Sequence, residues 1–402
     1  MKVDVYKYLY LEVSSVGKRA EVQTALDHCE PDKIPLDIGG TCCSSLHRLC
    51  YQNLRKHWGM PEDTEEELLS VVMQTILPKK DFMDRIGASC WNIPLHEPSN
   101  WQLAIEENET EKWFVDEFGI TWKMPKSQGL YFDLSSTPLL QVPDEKLYDF
   151  PWPDTADPLR VKGIRATAQK ILQQQDRALI VGPSVPPNLL ETFTWLHGFE
   201  EGYATLISNP KRSELILEKL THLKIALWEN ILDEIGDIID VVFEGDDLGG
   251  QNGPLISPAL YRKSIKPWHA KLFAAIKKKT AAKILLHSCG SIYELLPDII
   301  ETGVDAINPV HLSAKNMEPE KLKRDFGDDL TFWGGGCDPQ EILPHGSPQQ
   351  VKDAVKKSID TLAPGGGFVF GAVHNIQPDV PIQNIEALLE VYDMYSIPNG
   401  AA

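Results

Sequence analysis

From about residue 160 onward, short apolar runs alternate with longer segments whose apolar positions recur at helical spacing. Residues 178–185, 240–244, 283–288, 305–310, 330–334 and 367–373 read as strands. Residues 211–235, 258–279, 291–302, 318–325 and 347–362 read as helices. Three of these helices open with a capping residue followed by proline: Asn209-Pro210, Ser257-Pro258 and Ser347-Pro348. The strand candidates are almost continuously apolar, as strands of a parallel sheet covered on both faces must be. Upstream, residues 33–40 (KIPLDIGG) read as a first core strand ending in a glycine pair, and residues 45–58 have helical spacing. Residues 1–32 form a helical or irregular N-terminal extension. Residues 123–160, rich in proline and acid, read as a surface linker wrapped on the same domain.

The strand ends are chemically unusual. VVFE runs into Gly-Asp-Asp, ILLHS into Cys-Gly, FWG into Gly-Gly-Cys-Asp and FGAV into His-Asn. Polar and metal-binding residue types at the carboxyl ends of several strands are the active-site layout of a (β/α)8 barrel. An open doubly wound sheet would instead carry a glycine-rich phosphate loop after its first strand, and neither G-x-G-x-x-G nor G-x-x-x-x-G-K-[ST] occurs. The expected architecture is therefore one α/β barrel domain over residues 1–402.

Composition narrows the partners. A net charge of −19 disfavours nucleic acid and anionic lipid. No run is long enough to cross a bilayer, and the first twenty residues lack a signal-peptide pattern. The seven cysteines, at 29, 42, 43, 50, 90, 289 and 337, are irregularly spaced, which suits a reduced cytoplasmic protein with thiols available to a metal.

His287 and Cys289 stand two apart at a strand end, so their side chains point the same way. Imidazole and thiolate are good zinc ligands, and a catalytic site needs a third protein ligand and an open position. The candidates for the third are His374, Cys337, His311 and Glu244, each near a strand end. Gly290 turns the chain toward a helix whose start is expected to lower the Cys289 pKa. Glu244, Asp246 and Asp247 put three carboxylates at one strand end and are candidate proton donors or bases.

Longer stretches point the same way. TALDHCEPDKIPLDIGG, YDFPWPD, the HSCG strand end, GVDAINP, GGGCDP and HNIQPDVPIQN together resemble the uroporphyrinogen decarboxylase superfamily over nearly the whole chain. The resemblance implies a (β/α)8 barrel. In place of that enzyme's arginine-rich segment this chain reads GGTCCSSLHRLC, with the single arginine Arg48. The closer resemblance is to the zinc-dependent methyltransferase branch, whose His-x-Cys pair is matched by His287 and Cys289. The third zinc ligand of that branch is a cysteine, and its position falls on His374 here.

The resemblance implies zinc as cofactor and demethylation or methylation of a small O-, N- or S-methyl substrate or thiol. It also implies a corrinoid carried by a separate partner protein, since no D-x-H-x-x-G signature occurs, and a possible homodimer. Asn308, His311 and Cys337 are placed on the substrate side. A decarboxylase or other lyase, and a non-catalytic tetrapyrrole- or corrinoid-binding protein, are the competing functions.

Overall fold

The computed structural model describes residues 17–182 and 188–395. Residues 1–16 of the expected extension and 183–185 of the expected strand lie outside them. Seven short strands form one parallel sheet in chain order: β1 (Cys90–Asn92), β2 (Ala178–Val181), β3 (Val241–Gly245), β4 (Lys283–His287), β5 (Ala306–Asn308), β6 (Thr331–Trp333) and β7 (Phe368–Val369). Residues 35–37 join the two edges. Phe370 N donates to Pro35 O and Asp37 N to Phe370 O, both at 2.8 Å, while Ser89 N donates to Leu36 O at 2.7 Å. The segment expected as a first strand therefore occupies the eighth position of a closed parallel barrel.

Strand alternation divides the core into two layers. Ala178, Ile180, Val241, Phe243, Leu285, Ala306, Trp333 and Val369 fill the barrel lumen. Their neighbours Leu179, Val242, Leu286, Ile307, Phe332 and Phe368 pack outward beneath the helices. The helix Lys18–Leu26 sends Val22, Ala25 and Leu26 into the lumen cluster. Its Arg19 Nε bonds both carboxylate oxygens of Asp240 at 3.0 Å, just before β3. The described part of the extension thus plugs the barrel at the amino ends of its strands, leaving the carboxyl ends for a site.

The caps hold as expected. The side chains of Asn209, Ser257 and Ser347 accept hydrogen bonds from the first turns of their helices, and Ser347 forms a full capping box with Gln350. The helix expected over 258–279 is two, Pro258–Ser264 and Lys266–Lys277, because Pro267 cannot donate within a continuous helix. Likewise the segment 291–302 begins as a 3-10 turn and becomes α-helical at Leu296, with Pro297 in its first turn.

Residues 123–160 are not a surface linker. They complete a four-stranded antiparallel sheet (Glu106–Glu107, Glu111–Val115, Thr121–Pro125, Asp133–Leu134), then run through two 3-10 turns. Met124, Phe132, Leu139 and Leu147 from this stretch are buried in the outer core. No helix among the described residues is long and apolar enough to cross a membrane.

Candidate metal centre

Leu285 points into the lumen, so His287, two residues on, does too. Its Nδ1 lies 2.6 Å from Asn308 Oδ1, while Asn308 Nδ2 donates to Trp333 O at 3.0 Å. That second bond orients the amide with its oxygen toward the imidazole. Nδ1 is therefore the protonated nitrogen, and Nε2 presents its lone pair to the lumen. Cys289 Sγ lies 3.5 Å from this Nε2. Tetrahedral zinc, with about 2.0 Å to nitrogen and about 2.3 Å to sulfur, separates such atoms by roughly 3.6 Å. Gly290 follows at φ +82°, and a Cβ there would meet the Gly249 backbone at 2.4 Å. Only glycine allows this close return of the chain beneath the pair.

His287 belongs to two overlapping groups of ligand atoms, each lying within 4.8 Å of one another: Cys43, His287 and His374 in one, Asp247, His287 and Cys289 in the other. His374 follows β7, and its ring centroid is 5.3 Å from that of His287. Its Nδ1 contacts Asn375 Oδ1. The expected ligands are therefore divided: His287 is common to both groups, but His374 falls with Cys43 in one and Cys289 with Asp247 in the other. Cys43 escaped the sequence reading. Its only signal is a thiol pair just after the first barrel segment, and nothing local ties that pair to a histidine far along the chain.

The three carboxylates have different surroundings. Asp247 Oδ1 accepts Cys289 N at 2.7 Å and lies 3.7 Å from His287 Nε2. Glu244 is an outward residue of β3. Its Oε2 pairs with Lys224 Nζ at 2.7 Å and its Oε1 accepts Trp228 Nε1, both from the helix Pro210–Ile235. Asp246 is fully buried and accepts Leu190 N and Glu191 N, each at 2.9 Å. His269 Nε2 lies 3.0 Å from its second oxygen. Of the three candidates, only Asp247 faces the cluster. Side-chain parity turns Glu244 outward to Lys224 and Trp228, and Asp246 is engaged by a helix amino terminus and His269.

The residues expected on the substrate side have distinct surroundings, and His311 Nε2 is buried with no hydrogen-bond partner among the described residues. Asn308 has both ends of its amide engaged in holding His287, so it is a positioning residue. His311 Nδ1 accepts Gly290 N at 3.0 Å and buttresses the turn after Cys289. Cys337 is fully buried in the outer core, where burial pushes its thiol up to about 12, and it joins neither ligand group.

Electrostatically the pocket is short of positive charge. Burial, then Asp247 and Asp246, push the Glu191 carboxyl well above its usual range. Burial, then Asp247 and Glu191, do the same to the Cys289 thiol, opposite to the lowering expected from a helix start. Among the described residues no lysine or arginine pairs with Glu191 or Asp247; the latter's ion-pair partner is His287. The donor set of imidazoles, thiols and carboxylate fits a divalent cation, which would offset this excess of negative charge.

Fold and cluster define a class: a parallel α/β barrel with a nitrogen- and sulfur-donor pocket at the carboxyl ends of its strands. The chain belongs to the uroporphyrinogen decarboxylase (URO-D) family, whose model matches residues 116–395. Uroporphyrinogen decarboxylase of Coxiella burnetii is 29% identical over 198 residues, 49% of this chain and 51% of that one. A methylcobamide:CoM methyltransferase of Methanosarcina barkeri is 27% identical over 232 residues, 54% of this chain and 60% of its own. The chain spans about half to three-fifths of the length of these curated relatives. A solved methyltransferase from Methanosarcina mazei superposes with a TM-score of 0.61 at 17% identity, covering 95% of this chain and 99% of that one, and so shares the fold.

Proposed function

We propose that this protein is a zinc-dependent methyltransferase. It moves a methyl group between a small O-, N- or S-methyl substrate, or a thiol acceptor, and a corrinoid held by a partner protein. The observation that carries this reading is the His287 Nε2 to Cys289 Sγ pair, 3.5 Å apart and fixed from behind by Asn308. His287, Cys289 and His374 would hold the ion. Bound zinc supplies a Lewis acid that stabilises negative charge on the heteroatom bearing or accepting the methyl group. Asp247, anchored by Cys289 N, stands beside the pair to hold a proton of that heteroatom. The likeness to a methylcobamide:CoM methyltransferase supports the corrinoid and thiol sides of the reading.

The decarboxylase relatives favour a second reading, porphyrin decarboxylation. A polyanionic substrate calls for cationic side chains at the mouth. Arg48 is instead paired with Glu66 at 2.5 Å, with its side chain 44% exposed. One experiment separates the readings. Zinc content and methyl transfer to a reduced corrinoid protein, from a panel of methyl ethers, methylamines and methyl thiols, are measured for the native chain and His287→Ala. About one zinc per chain and methyl transfer are expected, both lost in the variant. A zinc-free protein that decarboxylates porphyrinogens would sink the proposal. A zinc-free protein that only binds a corrinoid or tetrapyrrole would point to a carrier.

A further inference from the structure

We infer that Cys43 is a protein ligand of the same ion and supplies a second thiolate to the centre; this rests on the zinc reading above. Its sulfur, His287 and His374 form one group with ligand atoms within 4.8 Å of one another, and the residue is 6% exposed. Cys50, Cys90 and Cys337 are equally buried, yet none joins such a group among the described residues. A buried thiol is ordinarily a small apolar filler. Two imidazoles converging on it are what set Cys43 apart.

The loop that carries Cys43 is pinned. Thr41 N donates to Ser44 Oγ and Ser44 N to Thr41 Oγ1, each at 3.0 Å, so the two residues clasp the thiol pair between them. Gly40 N donates to Asp37 Oδ1 at 2.8 Å, and Asn92 Nδ2 to Gly40 O at 3.0 Å. These bonds tie the loop to the first barrel segment and to β1. Cys43 is thereby turned into the lumen cluster, while Cys42 stays partly exposed with its sulfur 3.8 Å away. Side chains locked by surrounding bonds are what a metal site needs to hold its geometry. On coordination Cys43 releases its thiol proton to solvent and binds as thiolate.

Cys43 and His374 lie in one group and Cys289 in the other, so the two groups would have to draw together about their shared His287 for all four donors to fill a tetrahedral ion at rest. A substrate heteroatom would then have to displace one of them.

The test is the zinc-edge X-ray absorption spectrum of the zinc-loaded full chain, with Cys43→Ser and Cys42→Ser variants. The native protein is expected to show two sulfur neighbours at about 2.3 Å. One should remain in Cys43→Ser with zinc retained, and two in Cys42→Ser. The sulfur-to-metal charge-transfer band of the cobalt-substituted protein should fall by about half in Cys43→Ser alone. Bound zinc with a single sulfur in the native chain would overturn the assignment of Cys43 and leave the metal reading standing. No zinc in the native chain would overturn both. The native spectrum decides the matter even where Cys43→Ser does not fold.

Discussion

Asn308 Oδ1 sits 2.6 Å from His287 Nδ1, and that contact determines which nitrogen of the imidazole faces the cluster. A partner behind a metal-binding histidine fixes both tautomer and ring orientation. Asn308→Ala removes it without touching a donor atom. Zinc affinity, measured by competition with a chromophoric chelator, should fall by about 10- to 100-fold while the fold persists. An unchanged affinity would show that the lumen packing alone holds the ring.

Glu244 and Lys224 form a buried ion pair outside the lumen, both almost fully excluded from solvent. Lys224→Met leaves the carboxylate buried without this partner, a loss on the order of 3–5 kcal/mol. Burial already raises the Glu244 pKa and Lys224 pulls it back, so the variant's carboxyl rises further. A carboxyl whose folded pKa lies above its unfolded value loses stability as pH rises through that window. The deficit of Lys224→Met should therefore be large at pH 8 and smaller at pH 5 in urea unfolding. Methyl transfer per folded chain should match the native protein; its loss at unchanged zinc content would put Glu244 in the reaction.

Asp246 caps the helix Leu190–His197 through two backbone N–H groups and bonds His269. Asp246→Asn keeps the shape and removes the charge. A loss of about 1–2 kcal/mol is expected, read as a lower thermal midpoint, with methyl transfer retained below that midpoint. Activity abolished at unchanged stability would instead put Asp246 in the reaction.

His197 gives a pH signature unrelated to the proposed metal site. Its Nδ1 bonds Phe193 O at 2.8 Å, and its Nε2 accepts Arg212 Nε at 3.3 Å, an arrangement only the neutral ring can make. Burial, partly countered by the bond to Phe193 O, and then Arg212 bring its pKa down to about 4. The unfolded chain binds the extra proton first as pH falls below about 6.5. The stability from this group is complete above that value and is lost as pH falls through about 4, on the order of 3 kcal/mol in all. His197→Gln should flatten the dependence of the urea midpoint between pH 7 and 4.5. An unaltered slope would mean that other groups carry it.

Local signals in the chain were reliable where the chain itself makes the contact. The capping residues Asn209, Ser257 and Ser347 and the apolar runs of β2 to β7 depend on neighbours in sequence, and they stand where the pattern puts them. The antiparallel sheet was not read from the sequence: buried Phe114, Trp122 and Met124 alternate with charged and polar residues over short strands, and the proline- and acid-rich stretch after them read as a linker. Pro267 and Pro297 marked helix starts that were read as helix interiors.

By itself, then, the sequence determined a parallel α/β barrel and the pairing of His287 with Cys289, because a two-residue strand repeat sends both side chains to one face. Only the tertiary structure decided that Glu244 turns away to Lys224, that Asp246 serves a helix terminus, and that Cys43 meets His287 and His374. The reason is closure of the barrel. It joins residues 35–37 to both Phe370 and Ser89, and so brings loops from opposite ends of the chain over one lumen. No local periodicity encodes that meeting.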